Sequence, residues 1–241
     1  MTSFVLVHDA WHGAWSWDEV KAHLEQAAEA EGVSCVLAPD LPGHGRRAAD
    51  ERRNITVADY VSAITIRVRL GRLSGVVLVG QGLSASFLPL VVWQLDGVVR
   101  RTVLVAGLLP PEGSTPLRER PLMEQCIARL FNAREKGFWL PTPLMEKLLG
   151  LERTGQARRD ILSRLTPDPL APWTTPVEYG QFPGRMPTTY VLLKEDRFIT
   201  ERAQALYADL LPNADLHEMD TGHECALTHP KELADLLLRY V

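Results

Sequence analysis

Strand-like stretches that alternate with helix-like segments constrain the fold of this chain more than any other feature. Six short stretches have the pattern of buried strands, at 3–8, 34–39, 75–80, 101–107, 188–194 and 214–219. Between them the sequence predicts helices, and two capping boxes mark helix starts, Ser16 with Glu19 and Thr56 with Asp59. Such alternation is typical of a mostly parallel sheet with helices on both faces. We therefore predict an α/β fold.

One long segment does not follow this alternation. Residues 108–186 are rich in proline, lack strand patterning and contain several short helix-like pieces. The segment is also too apolar for a linker, with aromatic side chains such as Trp139. We predict a core formed by 1–107 and 187–241, with 108–186 inserted as a helical cap or lid.

Composition narrows the classes of function. The chain has 241 residues and a formal net charge of -4, so no basic surface for nucleic acid is expected. We find no signal-like segment and no apolar run of membrane-spanning length. The three cysteines are widely spaced and lack metal-ligand spacing, which predicts reduced thiols. We expect a cytoplasmic protein with a small-molecule substrate, no cofactor, no metal and no membrane or nucleic-acid partner, and a homodimer stays open.

Four segments that follow predicted strands carry the residues suited to chemistry. They read "HDAWHGAW", "GQGLS", "KEDRF" and "DTGHECALTHP". Because ligands bind beyond the carboxyl ends of parallel strands, these segments are expected to meet at one edge of the sheet. The order of turn, acid and histidine along the chain is that of the α/β-hydrolases.

The residues around these segments resemble a particular group of α/β-hydrolases. "FVLVHDAWHGAWSW" is similar to the first strand and oxyanion loop of small plant-type methylesterases and hydroxynitrile lyases, and "VVLVGQGLSAS" is similar to their nucleophile turn. The resemblance implies an α/β-hydrolase fold, with Asp196 as the acid and His223 as the proton-transferring base. It also implies backbone N–H groups of Ala10 and Leu83 as an oxyanion hole. Substrate contacts are expected from Trp11, Gln81 and Trp139.

The sequence departs from that group at three positions. Gly82 stands where the nucleophilic serine is expected, Ser84 where a glycine is expected, and Asp9 where the esterases have glycine. Loss of a catalytic serine costs on the order of 10⁶ in kcat. Gly82 also predicts an empty space the size of a hydroxymethyl group beside His223, which could hold water or a substrate oxygen.

Other residues offer alternatives that the sequence leaves open. Ser84 could be a nucleophile in a turn shifted by two residues, and Cys225 follows His223 closely but reads as a buried apolar side chain. Asp9 either works with His223 as an acid/base pair or turns outward to cap the next turn. His44 and His12 read as structural residues of their loops.

Three functions fit these observations. The first is a cofactor-free acid/base enzyme on a hydrophobic carbonyl or ester compound, working by a lyase, isomerase, cyclisation or water-mediated hydrolysis step with His223, Asp196 and Asp9. The second is a serine esterase whose nucleophile was changed to glycine by engineering. The third is a non-catalytic binding protein on a hydrolase scaffold. Convergence of Asp9, Asp196 and His223 on one pocket separates the first from the third.

Overall fold

A six-stranded parallel sheet forms the centre of the molecule. A computed structural model describes residues 1–132, 137–151 and 156–241. In the described chain the strands lie in the order β2-β1-β3-β4-β5-β6, and every neighbouring pair is parallel. The strands are β1 Thr2–Val7, β2 Val33–Leu37, β3 Val76–Gln81, β4 Val99–Val105, β5 Thr188–Leu193 and β6 Asp215–Met219. The predicted α/β architecture is confirmed.

Helices cover both faces of this sheet. Their bounds are α1 Asp18–Gln26, α2 Ala28–Glu31, α3 Val57–Leu70, α4 Leu88–Gln94, α5 Leu122–Asn132, α6 Thr142–Leu148, α7 Gln156–Arg164, α8 Ala171–Thr174, α9 Phe182–Arg185, α10 Glu201–Ala208, α11 Cys225–Thr228 and α12 Pro230–Leu238. Short 3₁₀ turns lie at Ala14–Trp17, Gly45–Arg47, Arg52–Asn54, Gly82–Ser86 and Pro116–Glu119.

The central strands are buried on both faces, which explains their continuous apolar sequences. Along β1, Phe4 and Leu6 belong to one hydrophobic cluster, whereas Val5 and Val7 belong to the cluster on the other face. Alternate residues of a strand point to opposite faces, so one apolar run supplies both layers. Helices α1 and α12 cover the first face, and α3 and α4 cover the second.

The helices between β4 and β5 pack on the same side as α3 and α4. Phe138, Met145, Trp173 and Phe182 from this segment are buried in the shared cluster. In the described parts of 108–186 we find helices and turns, with one isolated bridge between Phe138 and Asp168. Residues 133–136 and 152–155 of the predicted cap lie outside the described residues. The division into core and cap stays a prediction.

Helix starts show where local sequence signals were reliable. Thr56 and Asp59 form the predicted capping box at α3, with the Asp59 carboxylate accepting from Thr56 N at 2.8 Å. The box predicted at Ser16 is wrong, because Ser16 lies inside a 3₁₀ turn and donates to Gly13 O instead. The turn predicted after β3 and the helix predicted to follow it, to about Leu95, are both present. A 3₁₀ turn occupies Gly82–Ser86, and α4 begins only at Leu88.

Candidate active site

Four loops at the carboxyl edge of the sheet bring the site together. Asp9 follows β1, Gly82 follows β3, Asp196 follows β5 and His223 follows β6. Parallel strands end at the same edge, so residues more than 200 positions apart become neighbours. Asp9, Asp196 and His223 are all buried, with at most 5% of their surface exposed.

The His223 ring is oriented by Asp196. Asp196 Oδ2 lies 2.7 Å from His223 Nδ1, which is the contact that the sequence predicted. The other oxygen, Oδ1, accepts from the backbone N–H groups of Phe198 at 2.7 Å and Ile199 at 2.9 Å. With these partners the carboxylate is locked, and it fixes both the tilt of the imidazole and a proton on Nδ1.

Asp9 contacts the opposite nitrogen of the same ring. Asp9 Oδ2 lies 2.6 Å from His223 Nε2, and Asp9 Oδ1 accepts from the Leu83 backbone N–H at 2.6 Å. One carboxylate oxygen thus accepts from the backbone, and the other contacts the imidazole ring. Asp9 points into the site and does not turn outward.

Charge in this buried triad favours a protonated imidazole. Burial by itself lowers the pKa of His223, but the Asp196 carboxylate, followed by that of Asp9, raises this pKa well above its ordinary value. A ring that donates from Nδ1 and Nε2 to two carboxylates carries both protons. The arrangement is an Asp9–imidazolium–Asp196 unit with no solvent contact at the ring.

The space predicted beside Gly82 is filled, so that prediction is wrong. Gly82 has φ of 53°, and a Cβ built on it would lie 2.1 Å from Asp9 Oδ1 and 2.2 Å from Asp9 Cγ. A glycine tolerates this left-handed backbone without the strain that a side chain adds. The Asp9 carboxylate thus occupies the volume that a side chain at position 82 would need.

A small cavity adjoins Asp9. It has a volume of about 10 Å³, close to the space of one water, and its lining includes His8, His44, Tyr60 and Asp168. His8 Nε2 accepts from Leu41 N at 3.1 Å. Burial, followed by the charge of His44, lowers the pKa of His8 well below its ordinary value. His8 is therefore a neutral ring that donates from Nδ1 to Asp9 O at 2.8 Å.

The partners of His44 could not be predicted from the sequence. His44 Nε2 lies 2.9 Å from Tyr60 Oη and 3.1 Å from Asp168 Oδ1, and all three residues are buried. Asp168 also accepts from Trp11 N at 2.8 Å and Trp173 Nε1 at 2.7 Å. No local signal marks Asp168, because two of its three partners, Trp11 and His44, come from distant parts of the chain. His44 was interpreted as turn structure, yet it connects the core to the helical segment.

The residues predicted to contact substrate have other surroundings. Trp11 is buried, and its Nε1 donates to Phe138 O at 3.0 Å. Gln81 is buried and donates from Nε2 to His223 O at 2.7 Å, so it holds the histidine loop. Trp139 is half-buried against the main hydrophobic cluster.

The remaining candidates are placed as follows. Ser84 donates to Gln81 O at 2.8 Å and lies inside the 3₁₀ turn, facing back toward the strand. Cys225 is fully buried, and burial raises the pKa of its thiol, which suits an unreactive apolar side chain. Ala10 is buried and lines the small cavity next to Asp9, together with Leu83.

Two buried pairs support the site from outside. His12 Nε2 lies 3.2 Å from Glu224 Oε1, which joins the loop after β1 to the residue beside His223. Arg120 forms an ion pair with Glu124 at 2.8 Å and donates to Phe198 O at 2.5 Å. Its guanidinium also covers the Phe198 ring at 3.9 Å, and that ring contacts His223 edge-on at 5.0 Å.

Within the described ranges, no group of three or more His, Cys, Asp or Glu side chains is arranged to hold a metal ion. In the same part of the chain, no helix has the length and apolar character needed to cross a membrane. A second concavity, of about 390 Å³, is lined by Arg118, Gln125 and Arg129 and includes none of the residues of the Asp9–His223–Asp196 unit.

Comparisons with known proteins agree with the fold. A model of the "Alpha/beta hydrolase family" matches residues 4–236. The carbendazim hydrolyzing esterase of Nocardioides sp. (strain SG-4G) is 25% identical over 245 residues, covering 98% of each chain. Putative methylesterase 19 of Arabidopsis thaliana is 25% identical over 260 residues, covering 98% of this chain and 95% of its own.

Solved structures give the same architecture. An extracellular alpha/beta-hydrolase from a Paenibacillus species superposes with a TM-score of 0.87 at 21% identity, covering 100% of this chain and 99% of its own. Polyneuridine aldehyde esterase superposes with a TM-score of 0.77 at 20% identity, over 99% of this chain and 98% of its own. The predicted α/β-hydrolase fold is confirmed.

Proposed function

Because the chain belongs to the alpha/beta hydrolase family, we propose that it is a cofactor-free acid/base enzyme acting on a hydrophobic carbonyl or ester compound without a serine nucleophile. The observation that carries this proposal is the placement of the Asp9 carboxylate. It lies against His223 Nε2 and the Leu83 N–H, in the volume beside Gly82 where a serine side chain would lie.

The placement of Asp9 suits a reaction in which the developing oxyanion of a substrate replaces the Asp9 carboxylate. The Leu83 N–H and the His223 Nε2–H are two donors that already hold a negatively charged oxygen. When a substrate carbonyl oxygen displaces the Asp9 carboxylate from them, the freed carboxylate can take a proton from the carbon beside that carbonyl. The electron pair of the broken C–H bond moves onto the carbonyl oxygen, and the two donors stabilise the resulting enolate. Asp9 holds the proton, and His223 stays charged between Asp196 and the enolate.

What the enolate does next sets the reaction type. Return of the proton to a different carbon is an isomerisation, loss of a leaving group is a lyase step, and attack on a second carbonyl closes a ring. The buried surroundings suit all three, because they exclude the bulk water that would quench the carbanion, while one water in the cavity beside Asp9 can exchange the proton that Asp9 holds with solvent. Asp196 serves to keep the ring oriented and charged throughout.

Ester hydrolysis is a second candidate, favoured by the esterases among the relatives. In that reaction Asp9 would take a proton from a water molecule as its oxygen attacks the ester carbonyl. The cavity beside Asp9 has about the volume of one water. Both candidates use Asp9 as the base, and they differ in the atom that loses the proton.

Exchange of carbon-bound hydrogen with deuterium from the solvent distinguishes proton abstraction from carbon from ester hydrolysis. We expect the protein to catalyse deuterium incorporation next to the carbonyl of 2-tetralone in D₂O, measured by NMR. Asp9→Asn keeps the shape but removes the base, so the rate should fall by about 10²-fold or more. An exposed matched variant, Asp160→Asn on α7, should leave the rate unchanged.

The outcomes are distinct. Hydrolysis of 4-nitrophenyl acetate that depends on Asp9, without any exchange, would support the water-mediated reaction. Exchange or hydrolysis that is unaffected by Asp9→Asn would contradict the role of Asp9. Absence of both reactions in a folded protein would favour the non-catalytic binding protein.

A further inference from the structure

The cavity at Asp9 is too small to hold a substrate. Its volume of about 10 Å³ accommodates about one water, whereas ligand sites in proteins occupy about 300 Å³ or more. The body of any substrate must therefore lie in a neighbouring space. Phe87 is the residue through which that space adjoins the cavity.

An apolar groove lies on the other side of Phe87. It runs between α3, α4 and the segment around α8, with a volume of about 280 Å³. Apolar side chains dominate its wall, among them Val61, Phe87, Leu90, Trp93, Pro172 and Val177. Trp93 leaves 45% of its surface exposed, so an aromatic face is available to a ligand.

Phe87 belongs to the lining of both the groove and the small cavity. Its ring is 2% exposed and meets the Tyr60 ring edge-on at 5.5 Å. Phe87 also stands between the 3₁₀ turn Gly82–Ser86 and the first residue of α4. Its backbone N–H donates to Ser84 O and its carbonyl accepts from Leu90 N, and a change of side-chain rotamer leaves both bonds intact.

We propose that this groove binds the apolar body of the substrate, and that rotation of Phe87 admits the carbonyl end to Asp9. The inference rests on the proposed function and names its substrate class: an uncharged carbonyl or ester compound with one or two fused rings. Glu178 is the single charged residue in the described lining of the groove, so a negatively charged ligand is disfavoured. The small volume excludes long chains and large polycyclic compounds.

Binding of a neutral and an anionic probe tests the groove. We expect 2-tetralone to bind at least 10-fold more tightly than 2-naphthoate, measured by equilibrium dialysis. Leu90→Glu places a charge in the groove and should weaken 2-tetralone binding at least 10-fold. Leu206→Glu, at a site on α10 that is 59% exposed and far from the groove in the fold, is the matched control and should leave binding unchanged.

The role of Phe87 is tested by comparing the affinity for 2-tetralone with the rate of deuterium exchange in Phe87 variants. Phe87→Trp enlarges the side chain between the two spaces, so the rate of deuterium exchange should fall at least 10-fold more than the affinity for 2-tetralone. Phe87→Ala should let the carbonyl end of 2-tetralone reach Asp9 more readily, and should therefore raise the exchange rate per unit of 2-tetralone concentration. An equal loss of 2-tetralone affinity and of exchange rate in Phe87→Trp would overturn the proposal that rotation of Phe87 admits the substrate to Asp9.

Failure of the groove and failure of the proposed function are distinguishable. If Leu90→Glu and Leu206→Glu bind 2-tetralone equally well while Asp9→Asn abolishes exchange, the groove proposal is wrong and the acid/base function stands. If Leu90→Glu weakens binding but neither the natural protein nor any variant exchanges deuterium or hydrolyses 4-nitrophenyl acetate, the groove stands and the acid/base function is wrong.

Discussion

At the scale of single residues, the site depends on how three ionisable side chains share their charge. His223 lies between two carboxylates, and its contacts to them are 2.6 Å and 2.7 Å. Isolated charges are costly to bury, but a cation between two anions that also accept backbone N–H groups is compensated. The unit is therefore stable only while the ring is protonated.

The charge on His223 predicts a dependence of stability on pH. Its folded-state pKa is raised, so its contribution to stability is complete below the unfolded-chain pKa of about 6.5 and is lost as pH rises through the raised value. The two charged groups that face the ring are Asp9 and Asp196. We expect the difference in unfolding free energy between the natural protein and His223→Gln to be larger at pH 6 than at pH 9.

Urea unfolding at the two pH values measures this difference. His23→Gln, at a half-buried position on α1, is the control for general effects of losing a histidine. A difference that stays constant from pH 6 to pH 9 would show that the ring is neutral in the folded protein.

At the scale of elements, Asp168 fastens the helical segment to the core. It is fully buried, accepts from the Trp11 N–H in the loop after β1 and from the Trp173 indole in α8, and lies 3.1 Å from His44 Nε2. Hydrogen bonds to a buried charged acceptor are costly to remove, because the donors stay desolvated. The segment that covers the site is thus held at the same loop that carries Asp9.

Removal of the Asp168 carboxylate should be strongly destabilising. We expect Asp168→Ala to lower the free energy of unfolding by about 3 kcal/mol or more, since it leaves the buried Trp11 N–H and Trp173 indole N–H without an acceptor and removes the contact to His44. Asp160→Ala, at an exposed acid on α7, should change it by about 0.5 kcal/mol or less. Urea titration of both variants measures this, and equal stability of the two would contradict the fastening role.

The elements show what the sequence can and cannot predict. Buried strands were predictable, because their apolar runs reflect burial on two faces. The capping box at Thr56 was predictable because its partners are three residues apart, whereas Ser16 satisfied the same pattern inside a 3₁₀ turn. The 3₁₀ form of the turn at Gly82–Ser86 was not predictable, since packing against neighbouring elements decides between an α-helix and a 3₁₀ turn.

The site likewise has features that the sequence can predict and features that it cannot. Asp196 and His223 could be paired from the resemblance, because the loops that carry them follow adjacent strands. The direction of the Asp9 side chain could not be predicted, because it depends on the backbone of the loop, where Trp11 adopts a φ of 62°. The His44–Asp168 contact joins residues 124 positions apart, and no local pattern records it.

At the scale of the whole molecule, the sheet explains how a carboxylate from β1 can stand in the place of a side chain on the turn after β3. β1 and β3 are neighbours in register, with Val7 beside Gly80. The loop after β1 therefore begins next to the turn after β3, and Asp9 needs only its own side-chain length to reach the space beside Gly82. A change at position 9 and a change at position 82 are thus coupled through one volume.

The central claim is that Asp9 occupies the place of a nucleophile. Because positions 9 and 82 share one volume, substituting both residues tests this claim most directly. The variants are Gly82→Ser, Asp9→Gly and the double variant, assayed by covalent labelling with a fluorophosphonate probe and by hydrolysis of 4-nitrophenyl acetate, with His223→Ala added to each as the control. Gly82→Ser alone places a Cβ against the Asp9 carboxylate on a left-handed backbone, at a cost of about 1–3 kcal/mol, so little labelling is expected. With Asp9→Gly the serine gains the His223 Nε2 and the Leu83 N–H, so the double variant should be labelled and should hydrolyse the ester at least 10-fold faster than either single variant. Equal labelling of Gly82→Ser and the double variant would contradict the claim, as would a folded double variant that reacts no faster than its His223→Ala control.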